Sequence, residues 1–265
     1  MKTDFHIHTS FSKDSDSSPE TMIQEAIRKG LETICITDHL DLDFSEPGFE
    51  IDYEEYFSVL QRLQKKYEEE IDVRIGLEFG MQPHLAKECT RLVETYPFDF
   101  VIGSLHIIDG KDPYYGKCLE GKSDEELYYR AFELTLEDVK TVKDFDVLGH
   151  MDYVVRYGKT KDQVYSYKKF ADIIDEILKY LIENGKGLEV NTAGWKYGLP
   201  FAHPHPDILK RYRELGGEII TIGSDAHKPE HLAYDFDKVL DILSICGFKY
   251  YTEFRQRKLI FRQLP

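Results

Sequence analysis

Asp4-Phe5-His6-Ile7-His8-Thr9 places two imidazoles at the far end of a short strand-like run, and its reading decides the fold. Side chains two residues apart on a strand share a face, so His6 and His8 can grip one ion. A dinucleotide-binding fold would follow its first strand with a glycine fingerprint, and here the histidines stand in that place. Moving outward, the same design recurs. Thr33-Ile34-Cys35-Ile36-Thr37 runs into Asp38-His39, Val73–Phe79 contains Glu78, and Phe100-Val101-Ile102-Gly103-Ser104-Leu105 runs into His106. A run at 146–149 leads to His150, and one at 218–223 leads to Asp225-Ala226-His227, which repeats the local spacing of the first pair.

Between these runs lie helical patterns at 19–29, 53–69, 83–96, 124–143, 166–183, 206–215 and 235–245. Apolar residues there recur at three- and four-residue spacing, as in Phe170, Ile173, Ile174 and Ile177. Ser18-Pro19 and Ser123-Asp124-Glu125-Glu126 supply cap and acidic first-turn chemistry, while Gly30, Gly185 and Gly216 supply stops. Further strands are expected at 187–191 and 249–254. Strand–helix alternation of this kind makes parallel strands covered by helices. Seven such repeats without an internal linker predict an α/β fold, a closed or nearly closed barrel, in one domain spanning residues 1–265.

In a β/α barrel the carboxyl ends of the strands meet at one face, where such enzymes build their sites. His6, His8, Asp38, His39, Glu78, His106, His150, Asp225 and His227 would therefore converge, although far apart in sequence. A single histidine is ordinarily a surface or core residue, which is the reading for His84, His203, His205 and His231. Six of ten at strand ends need another reason. Imidazole and carboxylate without thiolate suit Zn²⁺, Mn²⁺ or Fe²⁺, and about nine donors suit two or three divalent metal ions rather than one. Multinuclear sites of this kind activate water and bind phosphoester oxygens.

The net charge of −15, from 34 basic and 49 acidic residues, argues against a nucleic-acid backbone as partner and suits a small cationic substrate. No apolar run reaches the roughly 18 residues of a membrane span, and no signal segment precedes the first strand. The four scattered cysteines, Cys35, Cys89, Cys118 and Cys246, read as reduced thiols. A cytoplasmic enzyme is expected.

The residues that carry this pattern are His6-Ile7-His8-Thr9, Thr37-Asp38-His39, Gly76-Leu77-Glu78, Gly103-Ser104-Leu105-His106, Gly149-His150-Met151-Asp152 and Gly223-Ser224-Asp225-Ala226-His227. Together they resemble the polymerase-and-histidinol-phosphatase (PHP) superfamily. Phe11-Ser12-Lys13-Asp14-Ser15, Asp109-Gly110-Lys111-Asp112, Val155-Arg156-Tyr157-Gly158 and Glu189-Val190-Asn191-Thr192 resemble its histidinol phosphatases. The resemblance implies a distorted (β/α)7, TIM-barrel-like PHP fold with three metals. The first would take His6, His8, Glu78 and Asp225. Glu78 would bridge to a second held also by His106 and His150, and Asp14, His39 and His227 would hold the third, with Asp16 as rival to Asp14. Asp38 would orient a neighbouring ligand.

The implied activity is that of a phosphoric monoester hydrolase in histidine biosynthesis: hydrolysis of L-histidinol phosphate, with cation-activated water attacking phosphorus. Glu78, Asp225 and Arg156 are the catalytic candidates. Arg156 is a candidate phosphate clamp because its fork matches phosphate oxygens, although a surface arginine at a helix start has the same sequence setting. Asn191 and Ser104 are candidate substrate contacts. Two alternatives remain open at this point, a PHP phosphoesterase acting on another small phosphate or a nucleic-acid 3′ end, and a barrel whose ions only stabilise it.

Overall fold

The computed structural model describes residues 2–43 and 51–264. Strands β1 (Thr3–Ile7) and β2 (Thr33–Ile36) begin a parallel wall, and β3 (His39–Leu40) lies just beyond β2 in the chain. The wall then runs through β4 (Asp72–Gly80), β5 (Phe100–Ser104), β6 (Val147–Leu148), β7 (Gly187–Asn191) and β8 (Ile220–Gly223), in chain order. Both β2 and β3 pair with β4, so His39 sits opposite Glu78. β8 is tied back to β1 by the parallel bridge Ile7–Ala226, by the His8 N–H donating to the Ala226 carbonyl (2.9 Å), and by Ser224. The Ser224 backbone N–H and hydroxyl both donate to the buried Asp4 carboxylate. The result is the nearly closed parallel barrel expected from the alternation of elements, seven strands around with β3 extending the place of β2 beside β4.

Helices cover the outside: α1 (Pro19–Arg28), α2 (Tyr53–Lys66), α3 (Ala86–Thr95), α4 (Asp124–Thr141), α5 (Ala171–Glu183), the short α6 (Ala193–Lys196), α7 (Pro206–Glu214) and α8 (Phe236–Ile245). Their ends follow local chemistry. The Ser18 hydroxyl accepts the Thr21 N–H ahead of Pro19, and Ser123 and Glu126 form a reciprocal capping box. Gly30, Gly185 and Gly216 take φ of 75°, 65° and 99° after α1, α5 and α7, a region that glycine enters without steric cost. Outward strand residues such as Ile34, Ile36, Val101, Leu188 and Ile222 join Met22, Leu60, Phe132, Ile174 and Leu209 of the helices in one core. Among the described residues no helix is long and apolar enough to cross a membrane.

A second apolar cluster fills the barrel interior: Phe5, Cys35, Phe100, Ile102 and Val147, closed by Phe254. Phe254 comes from β9 (Tyr250–Arg255), which pairs antiparallel with β10 (Lys258–Gln263) outside the parallel wall. The hairpin plugs the amino-terminal end. Thr252 Oγ1 accepts the Ile220 N–H, Arg257 pairs with buried Asp146, and the Gln256 N–H donates to Asp99. The sequence pattern foresaw a strand at 249–254 but not its partner. Other differences are local: the segments at 83 and 166 enter their helices through 3-10 turns, Pro83–Leu85 and Tyr167–Phe170.

β1 carries a bulge, because Asp4 pairs with Ile34 while Ile7 pairs with Ile36, three residues against two. The extra residue lets neighbours Phe5 and His6 both face inward, Phe5 into the apolar plug and His6 toward the mouth. Apolar filling and polar mouth are thus stacked along one axis. Replacing Phe254 with Ala should lower unfolding stability by about 3–5 kcal/mol while sparing metal uptake, as read by urea denaturation beside metal analysis.

Candidate metal centre

At the carboxyl ends of the strands, the buried side chain of Glu78 is ringed by five imidazoles. Its Oε2 lies 2.8 Å from His39 Nδ1, 3.3 Å from His6 Nε2 and 3.5 Å from His8 Nε2. Its Oε1 lies 2.8 Å from His150 Nε2 and 3.2 Å from His106 Nε2, and also accepts the Ser104 hydroxyl at 2.7 Å. Asp225 Oδ1 stands 3.5 Å from His8 Nε2 and 3.4 Å from His227 Nδ1, and Asp14 Oδ2 is 3.0 Å from His227 Nε2. Every sequence-derived donor, apart from Asp38, therefore joins one continuous cluster. Asp14 reaches it from the loop after β1, with Oδ2 3.7 Å from His39 Nε2, and lines the cavity, whereas Asp16 lies outside that lining.

The donor atoms form four groups compact enough to hold an ion: His6, His8 and Asp225; His6, Glu78 and His150; His8, His39 and His227; and His39, Asp41 and His106. His6 Nε2, His8 Nε2, His39 Nδ1, His227 Nε2 and Glu78 Oε2 are buried without a properly directed hydrogen bond. Such atoms are costly to bury unless they converge on cations. Imidazole and carboxylate donors fit divalent transition metals. Asp225 takes φ of 52°, a left-handed backbone unusual outside glycine, of the kind that strained functional positions adopt.

Behind these atoms sits a ring of supports. Glu189 Oε1 lies 2.6 Å from His6 Nδ1, and its Oε2 accepts the His150 N–H. Asp41 Oδ1 holds His106 Nδ1 at 2.6 Å, and Ser12 Oγ stands 3.1 Å from His8 Nδ1. The buried Asp38 carboxylate accepts from Thr9 and Ser12, so it acts on the histidines through Ser12, as its neighbour role implied. Glycine makes room for this ring. A Cβ on Gly223 would meet the His6 Cβ at 2.3 Å and Glu189 Oε1 at 2.4 Å. Asp41 and Glu189 were not singled out from sequence. The signals were Asp41 three residues after Asp38, and Glu189 two before Asn191 on the same face.

The two expected substrate contacts are placed otherwise. Asn191 is fully buried, donating to Glu189 Oε2 (3.2 Å) and accepting the Ala193 N–H (2.9 Å), and Ser104 is turned to Glu78. Neither lines the cavity, because alternation gives the face of a strand but not the depth along it. His203 is a satisfied core group, with Nδ1 2.6 Å from the Asp152 carboxylate.

A cavity of about 740 Å³ opens over the cluster. Asp14, His39, His106, His150, Asp225 and His227 form its floor, and Arg156 and Lys196 reach it from the side. Arg156 lies on the 3-10 turn Tyr153–Tyr157, its guanidinium 4.4 Å from the Tyr197 ring and 4.8 Å from that of Tyr157. Among the described residues no carboxylate forms an ion pair with it. Lys196, on α6, donates to the Asp225 carbonyl at 2.7 Å and was not anticipated.

Without ions, proton positions answer to the charges packed here. Burial opposes charge on His6, His39 and His106. Glu189 and Glu78 nevertheless hold His6 well above its usual range, Glu78 and Asp14 hold His39 at about 9, and Asp41 and Glu78 raise His106. Burial likewise opposes charge on Glu78, but His6, His106 and His39 bring it well below the carboxylate range. His8 goes the other way, lowered by burial and by His227 and His39.

A barrel mouth with overlapping groups of imidazole and carboxylate donors under an arginine-flanked cavity marks a β/α barrel with a candidate metal centre at the carboxyl ends of its strands. The sequence profile of the PHP domain matches residues 4–193. The chain belongs to the PHP family. It is 33% identical to the histidinol-phosphatase of Lactococcus lactis, over 97% of this chain and 96% of that one. It is 24% identical to the histidinol-phosphatase of Bacillus subtilis, over 91% of this chain and 99% of its relative. The crystal structure of histidinol phosphate phosphatase from Lactococcus lactis, complexed with zinc, L-histidinol and phosphate, superposes with a TM-score of 0.90 at 32% identity, covering 98% of both chains.

Because an ion must displace the protons that His6, His39 and His106 carry near neutrality, metal uptake should release protons, and affinity should climb as pH rises from about 7 toward 9. Calorimetric titration of Zn²⁺ in buffers of different ionisation enthalpy measures this. Buffer-independent heats would contradict it.

Proposed function

We propose that this chain is a metal-dependent phosphomonoesterase, a histidinol-phosphatase that hydrolyses L-histidinol phosphate to L-histidinol and phosphate. The observation that carries the reading is near-full-length likeness, at a TM-score of 0.90, to an enzyme holding zinc, L-histidinol and phosphate, in a chain whose own histidines and carboxylates converge in compact groups. As the family resemblance implies, His6, His8, Glu78 and Asp225 would hold one divalent ion, Glu78, His106 and His150 a second, and Asp14, His39 and His227 a third, and the contacts among these side chains support that assignment. Glu78 suits a bridging role because its two oxygens face different histidines. When bound, divalent cations would supply an activated water and neutralise phosphoryl oxygens.

The protein's own part is positioning and charge. Glu189, Asp41 and Ser12 fix ring orientation at His6, His106 and His8. Arg156, stacked between tyrosines and without a carboxylate ion pair among the described residues, would present its fork to the phosphoryl group, and Lys196 would add a second positive charge. Both draw negative charge onto phosphorus-bound oxygen as the water O–P bond forms and the ester P–O bond breaks. The departing alkoxide takes up a proton to give the alcohol.

Steady-state kinetics on L-histidinol phosphate, beside nucleotides, other phosphomonoesters and a DNA 3′ end, tests the substrate. Preference for another ester would redirect the reading, and a metallated but inert protein would favour ions that only stabilise the barrel. Arg156→Ala should cut kcat/KM on the order of 10²-fold with metal content unchanged. Glu78→Ala should abolish turnover and metal content together, and full activity in that variant would refute the bridging role.

A further inference from the structure

Arg156 and Lys196, the two cations beside the cavity floor, come from different loops, one after β6 and one after β7. Their separation depends on how those loops are tied together, and one acid makes the tie. Asp152 is fully buried at the start of the 3-10 turn Tyr153–Tyr157, which carries Arg156, and its side chain does not cap that turn. It reaches across instead. Its Oδ1 lies 2.6 Å from His203 Nδ1, and its Oδ2 accepts the Tyr165 hydroxyl and the His205 N–H, each at 2.8 Å. A carboxylate only accepts, so the His203 proton in this contact sits on Nδ1.

His203 stands at the neck of the second loop. It exchanges backbone hydrogen bonds of 2.7 and 2.8 Å with Asn191 at the end of β7, which closes residues 192–202 into a strap. Within the strap, α6 packs so closely on the returning chain that a Cβ on Gly194 would meet the Phe201 carbonyl oxygen at 2.3 Å. The strap carries Lys196, which donates to the Asp225 carbonyl at 2.7 Å, and Tyr197, whose ring lies 4.4 Å from the Arg156 guanidinium. The two loops therefore meet twice, at the tip through Arg156 and Tyr197 and at the base through Asp152 and His203. Tyr197 is 48% exposed, whereas Asp152 and His203 have no exposure at all. Hydrogen bonds out of water are the stronger constraint, so the base sets the spacing.

Resting on the phosphomonoesterase reading, we propose that Asp152 and His203 form a positioning pair that holds the Arg156 and Lys196 loops at the spacing a phosphoryl group requires. Neither side chain lines the cavity, so the pair acts through the two cations and not on substrate. Two cations serve one phosphoryl group only if both reach it together. A displacement of about 1 Å at such a contact can cost on the order of 10²-fold in rate.

His203→Ala removes the tie, whereas His203→Asn keeps a donor, because its amide nitrogen stands near the place of Nδ1. In the zinc-loaded protein, His203→Ala should lower kcat/KM on L-histidinol phosphate and on p-nitrophenyl phosphate alike, on the order of 10- to 100-fold. Inhibition by inorganic phosphate should weaken by a similar factor, with zinc content unchanged, and His203→Asn should recover most of both losses. Trp195, the one tryptophan of the chain, lies on α6 and reports the strap directly. Acrylamide quenching of its fluorescence should rise in His203→Ala and return in His203→Asn. Unchanged rates and phosphate inhibition would overturn the positioning role, as would zinc lost in step with activity, or an asparagine no better than alanine. If His203→Ala does not fold, Tyr165→Phe deletes one O–H from the same carboxylate; rates, phosphate inhibition and quenching should then shift a few-fold, and no shift would overturn the proposal. Hydrolysis of p-nitrophenyl phosphate without turnover of L-histidinol phosphate by the unsubstituted protein would overturn the substrate reading alone.

Discussion

Glu78 is a carboxylate with no solvent exposure, held on the longest strand of the wall and surrounded by five imidazoles within 3.5 Å. An isolated buried carboxylate costs several kcal/mol, so this side chain is tolerable only while positive charge surrounds it. The neighbouring strands supply that charge. β1 brings His6 and His8, β3 brings His39, and the turns after β5 and β6 bring His106 and His150. Protonated histidines can balance Glu78 without ions, and bound cations can do so with the protons gone. Metal loading at these donors would therefore be coupled to folding through one residue, and the geometry at the mouth follows from keeping that residue surrounded by donors rather than by water.

That arrangement would be loose if the barrel beneath it could breathe. The interior below the histidines is filled by Phe5, Phe100, Ile102, Val147 and Phe254, with Phe100 in ring contact with both Phe5 and Phe254. The C-terminal hairpin closes the far end with charge as well as apolar mass: Arg257 meets Asp146, Arg255 meets Asp72, and Asp72 also pairs with buried Arg74. A site that needs ligand atoms placed within a few tenths of an ångström benefits from a floor that cannot shift. The β1 bulge is the joint between the two layers, since it lets one strand serve plug and mouth with adjacent residues.

Much of this was legible in the sequence because metal chemistry restricts residue types. Histidines and acids at most of the strand ends have no common purpose in a core, and each of those donors except Asp38 does enter the cluster. The misreadings have physical causes. Strand alternation gives a residue's face but not its height, so Asn191 and Ser104 looked available to substrate while lying beneath the histidines. Asp41 and Glu189 were passed over because a support differs from an ordinary acid only in what stands beside it. The β9–β10 hairpin was half missed because its turn residues, Gln256 and Arg257, both adopt positive φ without the glycine or asparagine that normally announces such a turn. Contacts of Gln256 with Asp99 and of Arg257 with Asp146 hold that conformation from outside the turn.

The same distinction between total and local charge governs how an acidic chain can attract an anion. A net charge of −15 repels phosphate at long range, yet the cavity rim carries Arg156, Lys161, Lys196 and Lys228. Divalent ions on the histidine and carboxylate floor would make the centre of the mouth positive, and low-dielectric walls focus that field into the cavity. The acidic exterior then has its own use. It favours approach by a molecule whose other end is cationic, and it disfavours nucleic acid, whose phosphates lie every few ångströms with no compensating positive charge. A dipolar substrate, anion first, satisfies both fields at once.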